Sequence, residues 1–182
     1  MAENQTRWLT PEEREAWLSI VRLAGRLPAV LDAQLERDAK LNFFEYTVLA
    51  MLSERTTRSL RMSELAAVTS ASLSRLSNVA KRLERQGYLR RQADPDDGRC
   101  TLAVLTDAGM TKVVETAPGH VTAARQLVID AVTPAQLRQL RAANDRILRQ
   151  IDPEATTRPP ALDPVQPHPD PAPARPTGPA AH

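Results

Sequence analysis

Through most of the first 150 positions the apolar residues recur at steps of three and four, the spacing that lays one face of a helix against a core. Trp17, Val21, Ala24, Leu27, Leu31 and Leu35 form the first such stripe. Thr10-Pro11-Glu12-Glu13 ahead of it is a capping box with proline at the first helical position, so a helix is predicted from Pro11 to about residue 38. Pro28 removes an amide donor and crowds the preceding turn, which predicts a kink or a split within that helix. Asn42 with Glu45 three residues on repeats the box and opens a second helix, buried through Phe44, Val48, Leu49 and Leu52 and ending near Ser53 or Glu54. Leu60-Arg61-Met62 reads as a short strand, after which Ser63 is expected to cap a brief helix, SELAAVT.

The next stretch, SASLSRLSNVAKRLERQG from Ser70 to Gly87, has the same period with an unusual outer face. Leu73, Leu76, Ala80 and Leu83 form its buried stripe; Ser72, Ser74, Arg75, Asn78, Lys81, Arg82 and Arg85 lie opposite, with no acid before Glu84. Ser70 or Ser72 can cap its start, and Gly87 suits the left-handed residue after its last turn. A short helix, a tight turn and a longer basic helix make a helix-turn-helix pattern. After Gly87 the period becomes extended. Tyr88 to Ala93 and Cys100 to Leu105 are strand-length segments separated by two turn signals, Asp94-Pro95 and Asp97-Gly98, which predicts a hairpin with a charged tip. Thr106-Asp107 then caps a helix with Met110, Val113, Val114, Ala117, Val121, Ala124, Val128 and Ala131 on its apolar side, interrupted at Pro118-Gly119. Thr133-Pro134-Ala135-Gln136 opens a last helix, with Leu137, Leu140, Ile147 and Ile151 inward and an end near Gln150.

Composition adds a boundary and a charge pattern. Ten of the residues in 153–182 are proline and the apolar content there is mostly alanine, so 153–182 is expected to be a disordered Pro/Ala-rich tail beyond a folded part at 1–152. The formal net charge is only +2, yet residues 55–91 carry nine basic side chains against Glu64 and Glu84, enough for a phosphate footprint. No run approaches a membrane span, and the N-terminus has neither a basic leader nor an apolar segment, so a soluble, cytoplasmic chain with no membrane partner is expected. A single cysteine, Cys100, agrees with a reducing compartment. The folded part offers one histidine, His120, and one cysteine, so no metal cluster and no nucleophile with its base can be assembled; no enzyme activity, metal or cofactor is expected.

The candidate chemistry is therefore recognition of double-stranded DNA. Arg75, Asn78 and Arg82 share one helical face with Ser74 and Lys81 beside them, and Arg pairs bidentately with guanine as Asn does with adenine. Ser70 and Ser72 can cap the helix or donate to backbone phosphate. Arg99 stands at the hairpin tip, where a long cation can enter a narrow minor groove. Asp97 is placed to hold the hairpin by pairing with Arg90 or Arg91.

The element order, with the phrases LERQGYLRRQADPDDGR and LTDAG, resembles the MarR family of winged helix-turn-helix transcriptional regulators over residues 12 to 151. In that family a Leu-Glu-x-x-Gly phrase leads to a wing whose Asp-x-Arg turn reaches DNA, here Leu83, Glu84, Gly87, Asp97 and Arg99. The resemblance implies a mainly α fold with a small β-hairpin wing: a DNA-binding part at about 42–105 flanked by dimerisation helices at about 11–38, 107–131 and 134–151. It implies a homodimer, whose recognition helices two-fold symmetry would set about 34 to 36 Å apart to match a palindromic operator. Repression needs only occupancy of a promoter and is the simpler mechanism. Family members commonly bind small aromatic or anionic effectors between the dimer helices and the winged part, where Trp17, Phe43 and Phe44 are candidates for the lining, although core packing is the plainer role for such aromatics. The oxidant-sensing cysteine of some members lies near the start of the first helix, where this chain has none, so Cys100 is expected to be inert. The competing class is a winged-helix module for protein association, which would not need the basic face.

Overall fold

The computed structural model describes residues 6–152; the expected tail at 153–182 lies outside the described residues. Helix α1 runs from Pro11 to Ala39, opened by the Thr10–Glu13 capping box and closed by Lys40, whose φ of 57° lets its amide reach back to the carbonyls of Leu35 and Glu36. It passes through Pro28 without a split. The amide that proline lacks would serve the carbonyl of Ala24, and Ala24 is exposed, so water can replace the missing donor. Asn42 and Glu45 form the second box and start α2, Phe43–Ser53. Asp32 of α1 accepts from the Phe43 amide at 2.6 Å, fixing the corner between the two helices.

Strand β1, Ser59–Arg61, leads directly into α3, Met62–Val68. Ser63 does not cap α3, because the helix begins one residue before it; the capping position falls on Arg61, which makes no side-chain cap. Helix α4 spans Leu73–Arg85, and the hairpin strands are β2, Leu89–Ala93, and β3, Thr101–Leu105. The sheet has three antiparallel strands in the order β1-β3-β2, with Leu60 opposite Ala103 and Arg91 opposite Ala103 on the other side.

Helix α5, Asp107–Ala124, also runs through its proline, so the kink or short break expected at Pro118-Gly119 does not end the helix there; α5 passes directly into a π-helical turn over Arg125–Ile129. Exposed Val114 is the residue whose carbonyl Pro118 leaves unserved. The last helix, α6, spans Pro134–Ile151 behind the Thr133–Gln136 box.

The core is centred on α2. Leu35, Leu41, Val48, Leu49, Leu52, Leu65, Leu76 and Leu83 are fully buried around it. Only the C-terminal part of α1 contributes to this core, through Leu31, Gln34, Leu35 and Ala39, and α6 has no buried residue. The inward positions expected on α6 and on the far half of α5 are instead open: Val121, Leu140, Ile147 and Ile151 are among the exposed large apolar residues.

Two local features make the fold testable. A Cβ on Gly109 would lie 2.1 Å from the carbonyl oxygen of Tyr88, a backbone atom that cannot step aside. Gly109→Ala is therefore expected to cost about 3 kcal/mol or more in a denaturation experiment, whereas Gly98→Ala, with nothing within 4 Å of the new Cβ, should be near neutral.

His120 packs against the rings of Tyr46 and Phe43, with centroids 4.6 and 5.9 Å away, and burial holds its imidazole below the usual 6.5. The unfolded chain binds this proton more readily than the folded one, so the associated stability is present above about pH 6.5 and lost as pH falls below it. Glu54, whose carboxyl burial pushes up, acts in the opposite sense at lower pH. His120→Phe should flatten the stability profile below about pH 6.5 in chemical denaturation; an unaltered slope would assign the dependence elsewhere.

Candidate nucleic-acid interface

Helix α4 is held by Leu76, Ala80 and Leu83, all fully buried. Leu73, expected in the same stripe, is 54% exposed, because the first turn of α4 projects beyond the core that receives the later turns. Ser72 is the cap: its Oγ accepts from the Arg75 amide at 3.3 Å and lies 3.1 Å from the Ser74 hydroxyl. Ser70 has a different part. At φ 50° it is the left-handed residue that ends α3, its amide donating to the Ala67 carbonyl, so it makes the turn and leaves the capping to Ser72.

The outer face of α4 carries Ser74, Arg75, Asn78, Lys81, Arg82 and Arg85, all exposed. The structure divides this group in two. Ser74, Asn78, Lys81 and Arg85 point away from the rest of the fold, while Arg75 and Arg82 lean on α2. The Arg75 guanidinium lies 4.3 Å over the Phe44 ring, and Arg82 Nε donates to the buried carboxylate of Glu45.

The wing is β2, β3 and the turn between them. Arg99 is exposed on that turn, and its amide donates to Asp97 Oδ1 at 3.2 Å. Asp97 pairs with neither Arg90 nor Arg91; Arg91 instead donates to Glu84 of α4 at 2.7 Å, and Asp97 shapes the tip locally. The long-range anchor of the wing is Asp94, 6% exposed, which accepts from Arg61 Nε at 2.7 Å and from the Asp96 amide at 3.0 Å. That amide first, and Arg61 with it, hold the Asp94 carboxyl below the usual carboxylate range. Arg91 does the same for Glu84. The Asp94-Pro95 signal marked a turn here, but the arginine that Asp94 pairs with is 33 positions away and no local signal could have named it.

Carboxylates from outside the basic segment at 55–91 thus enter it: Glu45 meets Arg82, Asp94 meets Arg61 and Asp107 meets Arg58. Among the described residues, the exposed cations without a carboxylate partner on α4 and the wing are Arg75, Lys81, Arg85, Arg90 and Arg99. Cys100 is half-buried, its thiol 3.4 Å from Asp97 Oδ2, and that carboxylate together with burial pushes the thiol up, away from the reactive thiolate. Of the three aromatics considered as effector lining, Phe43 faces His120, Phe44 lies under Arg75, and Trp17 is 56% exposed on α1. Among the described residues no cluster of His, Cys, Asp and Glu could hold a metal ion, and no helix is long and apolar enough to cross a membrane.

Comparison with known proteins agrees with this architecture. The MarR family model matches residues 40–99, which span α2 to the tip of the wing. A MarR family transcriptional regulator from Streptomyces coelicolor, solved in complex with DNA, is 41% identical with a TM-score of 0.79, over 84% of this chain and 95% of that one. AbsC, a second regulator of the family from the same organism, is 34% identical with a TM-score of 0.77, over 82% of this chain and all of that one. CouR from Rhodococcus jostii RHA1, solved with p-coumaroyl-CoA bound, shares the fold at 20% identity, with a TM-score of 0.65 over 75% of this chain and 91% of its own. A search of curated proteins gave no match. With a winged helix-turn-helix in place, its two sequence phrases locked together, and identity above a third to regulators matched over nearly their whole length, the chain belongs to the MarR family of DNA-binding transcriptional regulators.

Proposed function

We propose that the protein is a sequence-specific repressor that binds a palindromic double-stranded operator as a homodimer. The observation that carries this reading is the exposed face of α4, with Ser74, Arg75, Asn78, Lys81 and Arg85, set beside a wing that ends in Arg99. An α-helix with such a face fits a major groove, and a cationic tip suits the minor groove next to it. The Streptomyces relative solved with DNA supports the same use of the fold. A module for protein association would have no need of this charge. Ser70 and Ser72, at the turn before α4 and at its cap, are placed for backbone phosphate, and Arg82 for a supporting role.

The dimer is supported by apolar surface that one chain leaves in water. Trp17, Ile20, Val21 and Leu23 of α1, Val121 of α5, and Leu140, Ile147, Leu148 and Ile151 of α6 are exposed. A helix of 18 residues with an apolar stripe and no buried residue has to find its cover elsewhere. An effector, aromatic or anionic, would suit the seam of α1, α2 and α5, where Gln34 Oε1 and His120 Nδ1 are buried and find no hydrogen-bond partner among the described residues. Phe43 and Tyr46 supply ring faces beside them.

Sedimentation at micromolar concentration is expected to give about twice the chain mass of 20.1 kDa, and Leu140→Glu combined with Ile147→Glu should dissociate the dimer. A stable, well-folded monomer of the unaltered chain would remove the two-half-site reading.

Titration of operator and scrambled duplexes over a range of salt separates helix from wing. Arg75→Ala should remove about 1 to 3 kcal/mol per half-site from the preferred duplex and relax one symmetric base position. Arg99→Ala should weaken all duplexes more evenly and lower the magnitude of the salt slope by about 1 for each phosphate that is no longer neutralised. The reverse pattern, with Arg75→Ala uniform and Arg99→Ala selective, would show the roles to be exchanged.

A further inference from the structure

Two adjacent residues of α2 meet the two arginines that α4 turns toward it, and they meet them in different ways. Glu45 is 1% exposed. Its Oε2 accepts from the Asn42 amide at 3.0 Å and its Oε1 accepts from Arg82 Nε, while Asn42 Oδ1 accepts from the Glu45 amide at 2.8 Å. The capping box therefore fixes the carboxylate, and the carboxylate fixes Arg82. Phe44 offers no such acceptor. Its ring centroid lies 4.3 Å from Arg75 Cζ, which stands over the ring, and stacking on an aromatic face is the arrangement a planar guanidinium favours there. A guanidinium held by its face keeps its in-plane N–H groups turned outward, and a parallel pair of in-plane donors is what guanine O6 and N7 accept.

Resting on the reading of α4 as the recognition helix, we infer that Phe44 is a positioning residue for base recognition. It holds the Arg75 guanidinium against α2 before DNA arrives, with the donor edge facing the groove. Glu45 draws Arg82 out of base reading and makes it a clamp between α2 and α4. The physical gain is entropic: an arginine already ordered loses less freedom on binding, and only the sequence that accepts its two donors benefits. The capping box of α2 thus serves a second purpose, placing Phe44 and Glu45 side by side against α4, one to order an arginine for DNA and one to occupy its neighbour.

The test uses the full-length protein with a duplex selected by it from random DNA and a scrambled duplex, each titrated at several salt concentrations. Phe44→Leu is expected to weaken the selected duplex by about two- to tenfold per half-site, with the scrambled duplex and the salt slope little changed. Phe44→Tyr, which keeps the ring, should restore the preference. In an Arg75→Lys background, which keeps the charge without the flat fork, Phe44→Leu should cost nothing further. Site selection repeated with Arg82→Lys should return the same base preference. Phe44 is half-buried beside the core, so melting temperatures are compared, and Phe44→Met replaces Phe44→Leu if the latter fails to fold. Equal weakening of both duplexes by Phe44→Leu, or the same weakening with and without Arg75, would make the ring mere packing and overturn the inference. Failure of the unaltered protein to select any duplex would overturn the functional reading instead, a separate result.

Discussion

The backbone of Tyr88 passes so close to α5 that only hydrogen fits at Gly109, and three elements are fixed at that one point. Thr106 completes the junction: its amide donates to the Tyr88 carbonyl, and its hydroxyl donates to the Gly87 carbonyl at 2.6 Å while accepting from the Gly109 amide at 3.0 Å. The end of α4, the start of β2 and the start of α5 are thereby one rigid corner. Helix α4 ends at this corner, and both the wing and the long helix α5 begin from it. The angle between the winged part and α5 is set there. This is also why LERQGYLRR and LTDAG serve together as a signature, since each phrase supplies one half of the same contact.

Charge around this corner is arranged with more economy than the linear sequence suggests. The segment from Arg55 to Arg91 looks strongly cationic, yet carboxylates from outside it enter and, with its own Glu84, hold particular arginines to structural duties. Glu45 is the clearest case, since a buried carboxylate left without Arg82 would be an uncompensated charge in the core. Asp94 does similar work between the wing and β1, where the anchor is an ion pair reinforced by a backbone amide. What remains outward is a smaller set of cations on α4 and the wing, on elements whose orientation these pairs secure.

The core accounts for the winged part and for little else. It draws on the last turns of α1, on α2, α3 and α4, on the sheet, and on the first half of α5. The N-terminal half of α1 and the whole of α6 stand outside it, with large apolar side chains in water. Burying those faces against a second copy would join two winged units through the helices that the single chain leaves uncovered.

Local chemistry determined a great deal from the sequence alone. Each of the three capping boxes sits where its spelling placed it, because a cap is a contact between residues three apart and needs nothing from the rest of the chain. The hairpin followed from its two turn signals for the same reason. The tertiary structure decided everything that depends on distant neighbours. Pro28 and Pro118 did not split their helices; the one donor each removes belongs opposite Ala24 and Val114, both exposed residues, rather than inside the core. Leu73 came out exposed because periodicity marks a face but not how far along the helix the core extends. The partner of Asp94 was Arg61, and the outer face of α4 was divided between arginines held on α2 and side chains left pointing outward. Residues 33 and 37 positions apart meet only when the fold brings them together, and no periodicity records such a meeting.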